Sequence, residues 1–361
     1  MKEDFQHIIQ LIQNAKERVY VKANSELVAL YFNVGNILSD KISKGVWGDK
    51  TMTALADFIH TKMPNLSGFN RRGLYRMKQF YEIHAVNSEV FKLWEELVFS
   101  IEHTEKQDVL IVSPAATQFQ KHQFYIENVL LKVSWSQHLD IFSSIRNPEE
   151  ILFYLLQTIT EKWTKTELRR QLKTAAYERT LLAKQATSPI IQKMDNIQTL
   201  FKDPYVFEFL DLPDNHSEKE FEKAIVLNLQ KFILEIGKGF TYMGEQYRLQ
   251  VGNKDYYTDL LFYHRDLQCL VLFELKIQDF EPEFLGKLNF YLEALDRDVK
   301  RPHENPSIGI LLCKGKDTEV VEYSLARNPS PTIIAEYQTK LIDKQLLINK
   351  LNQLLAIFQN P

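Results

Sequence analysis

Two rhythms divide this chain. Over its first half, apolar residues return every three to four positions, the spacing of one helix face; later, short apolar runs bounded by turn residues alternate with helical stretches. Phe5, Ile8, Ile9, Leu11, Ile12, Ala15 and Val19 predict a helix over about 4–21, and Leu27, Leu30, Tyr31, Val34, Ile37 and Leu38 a second over 26–39. Gly45-Val-Trp-Gly48 is a break, and a third helix over 51–63 ends before Pro64. The turn Asn65-Leu-Ser-Gly-Phe-Asn70 caps a fourth, which buries Leu74, Met77, Phe80 and Tyr81 and carries Arg71, Arg72, Arg76 and Lys78. A short helix, a turn and a basic amphipathic helix form a candidate helix-turn-helix, whose cations would lie in a DNA groove or along phosphates. The plainer reading is a solvated helix face. Residues 102–121 are polar and irregular and read as an insertion or loop, and further helices are predicted over 139–145, 148–160 and from the capping pattern Thr164-Lys-Thr-Glu167. Lys173 to Gln198 has no glycine and one proline, which suits a helical connector.

In the second half, Ser217-Glu-Lys-Glu220 is a capping box that opens a helix expected to reach Ile236. Glu222, Val226, Leu229 and Ile233 share one stripe of that helix, so an acid sits on an otherwise apolar face. Strands are predicted over 240–245, 246–251, 256–264, 268–276, 307–313 and 332–336, with helices over 282–296 and 341–358. The runs Tyr257–His264 and Leu270–Lys276 form a hairpin. Alternation puts Leu270, Leu272, Glu274 and Lys276 on one face of the second strand and Val271, Phe273 and Leu275 on the other. Asp259 interrupts an apolar segment of the first strand in the same way. Charge inside an apolar strand is costly unless it is paired or holds a metal. Two carboxylates and a lysine at one end of a hairpin suit a hard divalent cation with a water beside it.

Composition changes this picture little. With 361 residues the chain is long enough for two domains, and 45% hydrophobic with 25% charged residues is ordinary for a globular protein. No apolar run is long enough to span a bilayer, and Met1-Lys-Glu-Asp-Phe lacks a signal-peptide core, so a cytoplasmic protein without membrane partners is expected. Cys269 and Cys313 sit in strand-like apolar runs and read as reduced core residues. The net charge of −3, from 44 basic and 47 acidic residues, does not by itself indicate a nucleic-acid binder, though a local basic face can bind. No glycine loop suited to cradling nucleotide phosphates is present, and His138 has no nucleophile or ligand pattern around it.

An Asp followed after about fifteen residues by Glu-x-Lys resembles the signature of the PD-(D/E)XK nuclease superfamily, with Thr258 where the superfamily name has proline. Phe232-Ile-Leu-Glu-Ile-Gly-Lys-Gly-Phe240, Asp259-Leu-Leu-Phe-Tyr-His264, Glu274-Leu-Lys276, Gly286-Lys-Leu-Asn-Phe-Tyr-Leu292 and Ser307-Ile-Gly-Ile-Leu-Leu-Cys313 resemble the C-terminal nuclease domain of YhcG-type proteins. Trp47-Gly48 and the run Gly68 to Tyr81 resemble that family's N-terminal domain. The resemblance implies an α+β protein. A helical N-terminal domain (1–175) that binds DNA or a partner would be followed by a helical connector (176–200). A restriction-endonuclease-like α/β domain with a mixed central sheet (201–345) and a C-terminal helix (346–361) would come next. It also implies a metal-dependent endonuclease using Mg²⁺, or Mn²⁺, in which Asp259, Glu274 and the Leu275 carbonyl hold the ion and Glu222 reaches it through a water. Lys276 would position the attacking water or stabilise the transition state, and Lys287 would orient water or phosphate. DNA is the expected substrate, with RNA as the weaker alternative. A homodimer is expected because cutting both strands takes two centres, and the family's association with defence against foreign DNA, including phage, suggests accessory restriction or recombination proteins. The competing class is a DNA-binding adaptor that keeps an unused nuclease fold.

Overall fold

The computed structural model describes residues 2–101, 117–183, 187–192, 200–213, 215–341 and 344–348. It separates into two compact units, 1–172 and 173–361. The first is helical: α1 (Lys2–Ser43), α2 (Asp49–Lys62), α3 (Arg71–His84), α4 (Glu89–Ile101), α5 (Gln118–Asn128), α6 (Trp135–Ser144), α7 (Pro148–Thr160) and α8 (Lys165–Lys173). The two helices expected over 4–39 are one. No proline interrupts that stretch, and Ala23, Asn24 and Ser25 continue the helix. Its single glycine, Gly35, lies where α1 crosses α3. A Cβ there would stand 2.1 Å from the Met77 carbonyl oxygen, so the backbones meet more closely than a side chain permits. Val28, Tyr31, Phe32 and Leu38 of α1 and Leu74, Met77 and Phe80 of α3 are buried. The expected loop over 102–121 ends at Thr117, which caps α5; residues 102–116 lie outside the described residues.

Three histidines meet inside this unit. The His84 ring is hydrogen-bonded through Nδ1 to the Tyr125 hydroxyl at 2.8 Å, His122 Nε2 to the His84 carbonyl at 2.8 Å, and His138 Nε2 to the Leu130 carbonyl at 2.9 Å. His138 is therefore a satisfied core residue, as its surroundings in sequence suggested.

The second unit contains α9 (Ala176–Ala183), α10 (Pro189–Gln192), α11 (Glu218–Leu227), α12 (Leu229–Ile236), α13 (Phe284–Ala294) and α14 (Thr318–Leu325) around a sheet of β1 (Tyr205–Val206), β2 (Phe240–Val251), β3 (Lys254–His264), β4 (Cys269–Leu275), β5 (Ile308–Cys313) and β6 (Thr332–Gln338). The strand order is β1-β6-β5-β4-β3-β2. β2, β3 and β4 are antiparallel, and β4, β5, β6 and β1 run parallel, joined by crossovers through α13 and α14. Both faces are covered. Phe221, Ile225, Phe232 and Ile236 pack on Phe262, Val271, Phe273 and Ile310. On the other face Leu285, Leu288, Leu292 and Val321 pack on Leu261, Leu270, Leu272 and Leu311.

Three expectations need correction. The helix from Ser217 stops at Asn228, whose backbone leaves helical geometry and whose side chain donates to the Ala224 carbonyl; α12 restarts at once. The stretches 240–245 and 246–251 are a single strand with a bulge near Tyr242 and Gly244, and Gln246 takes φ +49° without breaking the ladder. The stretch expected as a connector is part of the second unit from its first helix. Of the expected C-terminal helix, residues 344–348 are helical, and those beyond 348 lie outside the described residues.

α9 is tied in by a charge network. Arg179, fully buried, donates to the Thr174 carbonyl and hydroxyl, to the Pro204 carbonyl and to the Glu235 carboxylate. Glu235 also accepts from Val206 N at 3.0 Å, and Lys202 donates to the Glu235 carbonyl. Removing one partner from such a buried pair strands the other charge. Arg179→Leu and Glu235→Leu should each destabilise the second unit by about 3 kcal/mol or more, and the double substitution by less than their sum. Urea unfolding of the three variants measures it, and additive losses would contradict the coupling. In the helical unit, burial holds His84 well below its usual pKa and pushes His138 down to about 4. Unfolding returns both rings to a pKa near 6.5, so the unfolded chain takes up protons that the folded unit excludes. Stability should fall as pH drops from about 6.5 to about 4, by on the order of 3 kcal/mol from His138 alone. Thermal melts across that window check it; a flat profile would contradict it.

Candidate active site

The site forms where β3 and β4 run side by side. Leu260 pairs with Phe273, so Asp259 and Glu274 come next along the two strands. The link is closed by Leu275 N, which donates to Asp259 Oδ2 at 2.7 Å. β4 is completely buried, and alternation turns Glu274 to the same side as Leu270 and Leu272, beneath α13. Lys276 comes directly after the strand, its backbone N–H held by the Leu312 carbonyl of β5 at 2.8 Å.

Two lysines converge on Glu274. Lys287 Nζ, from α13, donates to Glu274 Oε1 at 2.5 Å. Lys276 Nζ donates to the same oxygen at 3.2 Å, to the Leu275 carbonyl at 2.9 Å and to Glu218 Oε2 of α11 at 3.3 Å. Glu274 is fully buried, yet its second oxygen, Oε2, has no hydrogen-bond partner. Burial and the neighbouring charge of Glu274 push the Asp259 carboxyl up to about 7, against the opposing pull of Leu275 N and the two lysines. Burial lowers the Lys287 pKa, but its hydrogen bond to Glu274 and that carboxylate's charge outweigh this and leave it raised.

Glu222 comes from α11. Gln246 Nε2 donates to both of its oxygens, at 2.8 and 2.9 Å. Burial raises the Glu222 pKa, the Gln246 bond lowers it, and the charges of Glu245 and Glu274 raise it again, so Glu222 lies within the field of Glu274. Glu222 is half-buried, while the fully covered positions of α11 are Phe221 and Ile225.

Asp259, Glu274, Leu275, Lys276 and Lys287 are thus one connected cluster, with Glu222 electrostatically coupled to it. Two members were not evident from the sequence. Glu218 read as a helix-start acid, and Gln246 read as the first residue of a new strand. Nothing in their spacing marks a contact with residues 58 and 24 positions away.

This donor set fits a divalent cation. Asp259 and Glu274 supply carboxylate oxygens and Leu275 a carbonyl oxygen, the ligands that hard cations take. An unpartnered buried carboxylate oxygen beside a carboxyl pushed up to about 7 marks where positive charge is missing. Among the described residues no group of three or more His, Cys, Asp or Glu side chains gathers as an all-side-chain metal site.

The basic helix lies in the helical unit. Arg71 is exposed and paired with Asp49 at 3.2 Å, and Lys78 is paired with Glu82 at 2.6 Å. Arg72 and Arg76 have no ion-pair partner among the described residues. The α2–α3 connection, residues 63–70, is longer than the three or four residues of a compact helix-turn-helix turn, because Pro64 and the Asn70 cap both fall within it. Cys269 and Cys313 are buried and free. No helix among the described residues is long and apolar enough to cross a membrane.

The comparisons with known proteins accord with this geometry. A model of the DUF1016 N-terminal domain matches residues 7–179, and a model of the YhcG PDDEXK nuclease domain matches residues 198–352. A protein of Escherichia coli (strain K12) named "Putative nuclease YhcG" is 29% identical over 367 residues, covering 98% of this chain and 94% of its own. Among solved structures, a repair endonuclease from Pyrococcus abyssi is 17% identical with a TM-score of 0.24, over 35% of this chain and 48% of that one. EndoMS in a complex with dsDNA is 19% identical with a TM-score of 0.26, over 36% of this chain and 47% of that one. Each likeness spans about half of the solved chain, and scores this low carry no argument about function. With the two domain models matched in order and a relative aligned along nearly the full length, the chain joins a DUF1016 N-terminal domain to a YhcG PDDEXK nuclease domain.

Proposed function

We propose that the chain is a metal-dependent endonuclease that hydrolyses phosphodiester bonds in DNA. The observation that carries this is the buried carboxylate Glu274, with one oxygen held by Lys287 and Lys276 and the other unpartnered, next to Asp259. Asp259, Glu274 and the Leu275 carbonyl would hold Mg²⁺ or Mn²⁺, and Glu222, steadied by Gln246, would reach it through water. When bound, such an ion lowers the pKa of a coordinated water and neutralises charge on the scissile phosphate.

The chain's own groups do the rest. Lys276 gives its three N–H donors to three oxygens, so its ammonium keeps one orientation; its charge would offset that growing on the phosphate oxygens, and release of Glu218, the longest and most exposed of the three contacts, would free a donor for the attacking water. Lys287 is half-exposed and is the lysine free to turn from Glu274 toward a phosphate. Asp259 keeps its place through Leu275 N, which fixes the carboxylate without ordering a long side chain. In support of DNA, Arg72 and Arg76 on α3 present unpaired cations to a phosphate backbone, with Arg71 and Lys78 beside them. Accessory restriction or recombination proteins fit the same reading as partners.

Purified protein with Mg²⁺ or Mn²⁺ should cut at least one of linear duplex, single-stranded or branched DNA. Asp259→Ala and Lys276→Ala should each lose on the order of 100- to 1000-fold or more in rate while still binding the substrate. Wild type that binds DNA and cuts nothing would replace the enzyme with an adaptor, and cutting of RNA alone would replace the substrate. The pH dependence has a definite sign. The Asp259 carboxyl, raised to about 7, stays protonated below that pH and must ionise to bind a cation. Apparent Mg²⁺ affinity by calorimetry should therefore fall by up to about tenfold per unit below pH 7 and level off above it. The same raised pKa means that the metal-free protein loses stability as pH rises from the ordinary aspartate range to about 7. A metal affinity independent of pH between 5 and 8 would contradict this (a window of roughly one to two units on either side of the transition).

A further inference from the structure

The proposed nuclease activity makes no use of the long N-terminal helix, yet α1 is the most unusual surface in the helical unit. It has two apolar faces. Val28, Tyr31, Phe32 and Leu38 form the face that packs into its own unit. The other stripe runs from Phe5 to Ile37, roughly 140° round the helix from the first at 100° per residue. On it Phe5, Ile8, Ile12, Val19, Leu30 and Ile37 are between 45% and 70% exposed. Every described side chain from Phe5 to Ala23 is exposed. A helix in a protein takes most of its stability from packing an apolar face rather than from propensity. Val34 packs partly against the unit's core, but the other positions of the stripe point away from that core and the unit leaves them uncovered.

The spacing of the stripe indicates what can. Its apolar positions are 5, 8, 12, 15, 19, 23, 27, 30, 34 and 37, an a/d pattern with one extra residue at its middle, between positions 19 and 23. That series is the same read from either end. A second α1 laid antiparallel therefore meets it apolar to apolar throughout: Phe5 opposite Ile37, Ile8 opposite Val34, Ile12 opposite Leu30 and Val19 opposite Ala23. The same alignment sets Lys16 opposite Glu26, and both are exposed and without an ion-pair partner among the described residues. A parallel pairing would set Lys16 against Lys16. Self-complementarity about a two-fold axis is what a closed symmetric dimer demands of one surface. At roughly 50 Å² of apolar surface for each half-exposed side chain, two copies would bury on the order of 700 Å² from the large residues alone. Adding the stems beside them brings the contact to the ~1,000 Å² that a specific interface needs.

We infer that two copies of this chain pair antiparallel along α1, through the stripe from Phe5 to Ile37, with Lys16 and Glu26 forming reciprocal ion pairs. The N-terminal half of each α1 is thereby covered by the C-terminal half of its partner, and each dimer carries two nuclease domains.

Sedimentation or light scattering of the full chain should give a mass near twice 42.4 kDa at micromolar concentration. Ile12→Glu, in an exposed stretch of helix, should raise the dimer Kd at least about 100-fold, with the circular dichroism of the remaining chain retained. Lys16→Glu or Glu26→Lys alone should weaken the dimer roughly tenfold, and the two together should restore it. A monomer at all concentrations would overturn the inference, including one whose stripe is shielded by the chain's own C-terminal residues. A dimer indifferent to Ile12→Glu, or charge reversals that do not compensate, would overturn it as well. Mass does not depend on cleavage, so this result stands or falls apart from the nuclease reading.

Discussion

Two carboxylates forced together in an apolar interior set the terms for the second unit. Glu274 is fully buried on the most covered strand of the sheet, and Asp259 sits beside it on the neighbouring strand. Burial and the charge of Glu274 both disfavour the ionised form of Asp259, which is why that carboxyl is pushed up to about 7. The surroundings answer that repulsion only in part. Lys287 and Lys276 both serve Glu274 Oε1, Leu275 N serves Asp259, and Glu274 Oε2 is left over. The surrounding sheet makes this imbalance tolerable: β4 lies between β3 and β5, with helices on both faces, so the strand ends cannot splay apart to reach water.

Much of this was legible in the sequence because a strand has only two faces. The alternation that put Leu270, Leu272 and Glu274 together follows from backbone geometry, and an acid on that face stood out against its neighbours. The same logic placed Cys269 and Cys313 in the core. It did not reach Gln246 or Glu218. Gln246 meets Glu222 only because β2 bulges near Tyr242 and the backbone turns to positive φ at Gln246 itself. Glu218 meets Lys276 through the angle at which α11 crosses the sheet end, which no local pattern encodes. The break at Asn228 was hidden because its residues keep helical spacing on both sides, and β1, two residues long, is too short to show a period.

In the helical unit the sequence located apolar positions correctly but not how they were shared. Residues 4–39 show enough apolar positions for two helices, and the structure joins them into one helix with two faces. One of those faces is buried in the unit's own core, and the other meets it only at Val34. Gly35 explains the choice of face: α1 and α3 approach so closely there that any side chain would push them apart. The cations of α3 lie on the opposite side from Leu74, Met77 and Phe80, so the helix can present charge without disturbing the packing beneath it.

The unpartnered oxygen of Glu274 and the raised carboxyl of Asp259 would together form a cation site. Anomalous diffraction from crystals soaked in Mn²⁺ tests this most directly. A peak is expected among Asp259, Glu274 and the Leu275 carbonyl, with Lys287 Nζ displaced from Glu274. A map without density there, while Lys287 still holds Glu274 and Mn²⁺ is bound elsewhere on the chain, would contradict it.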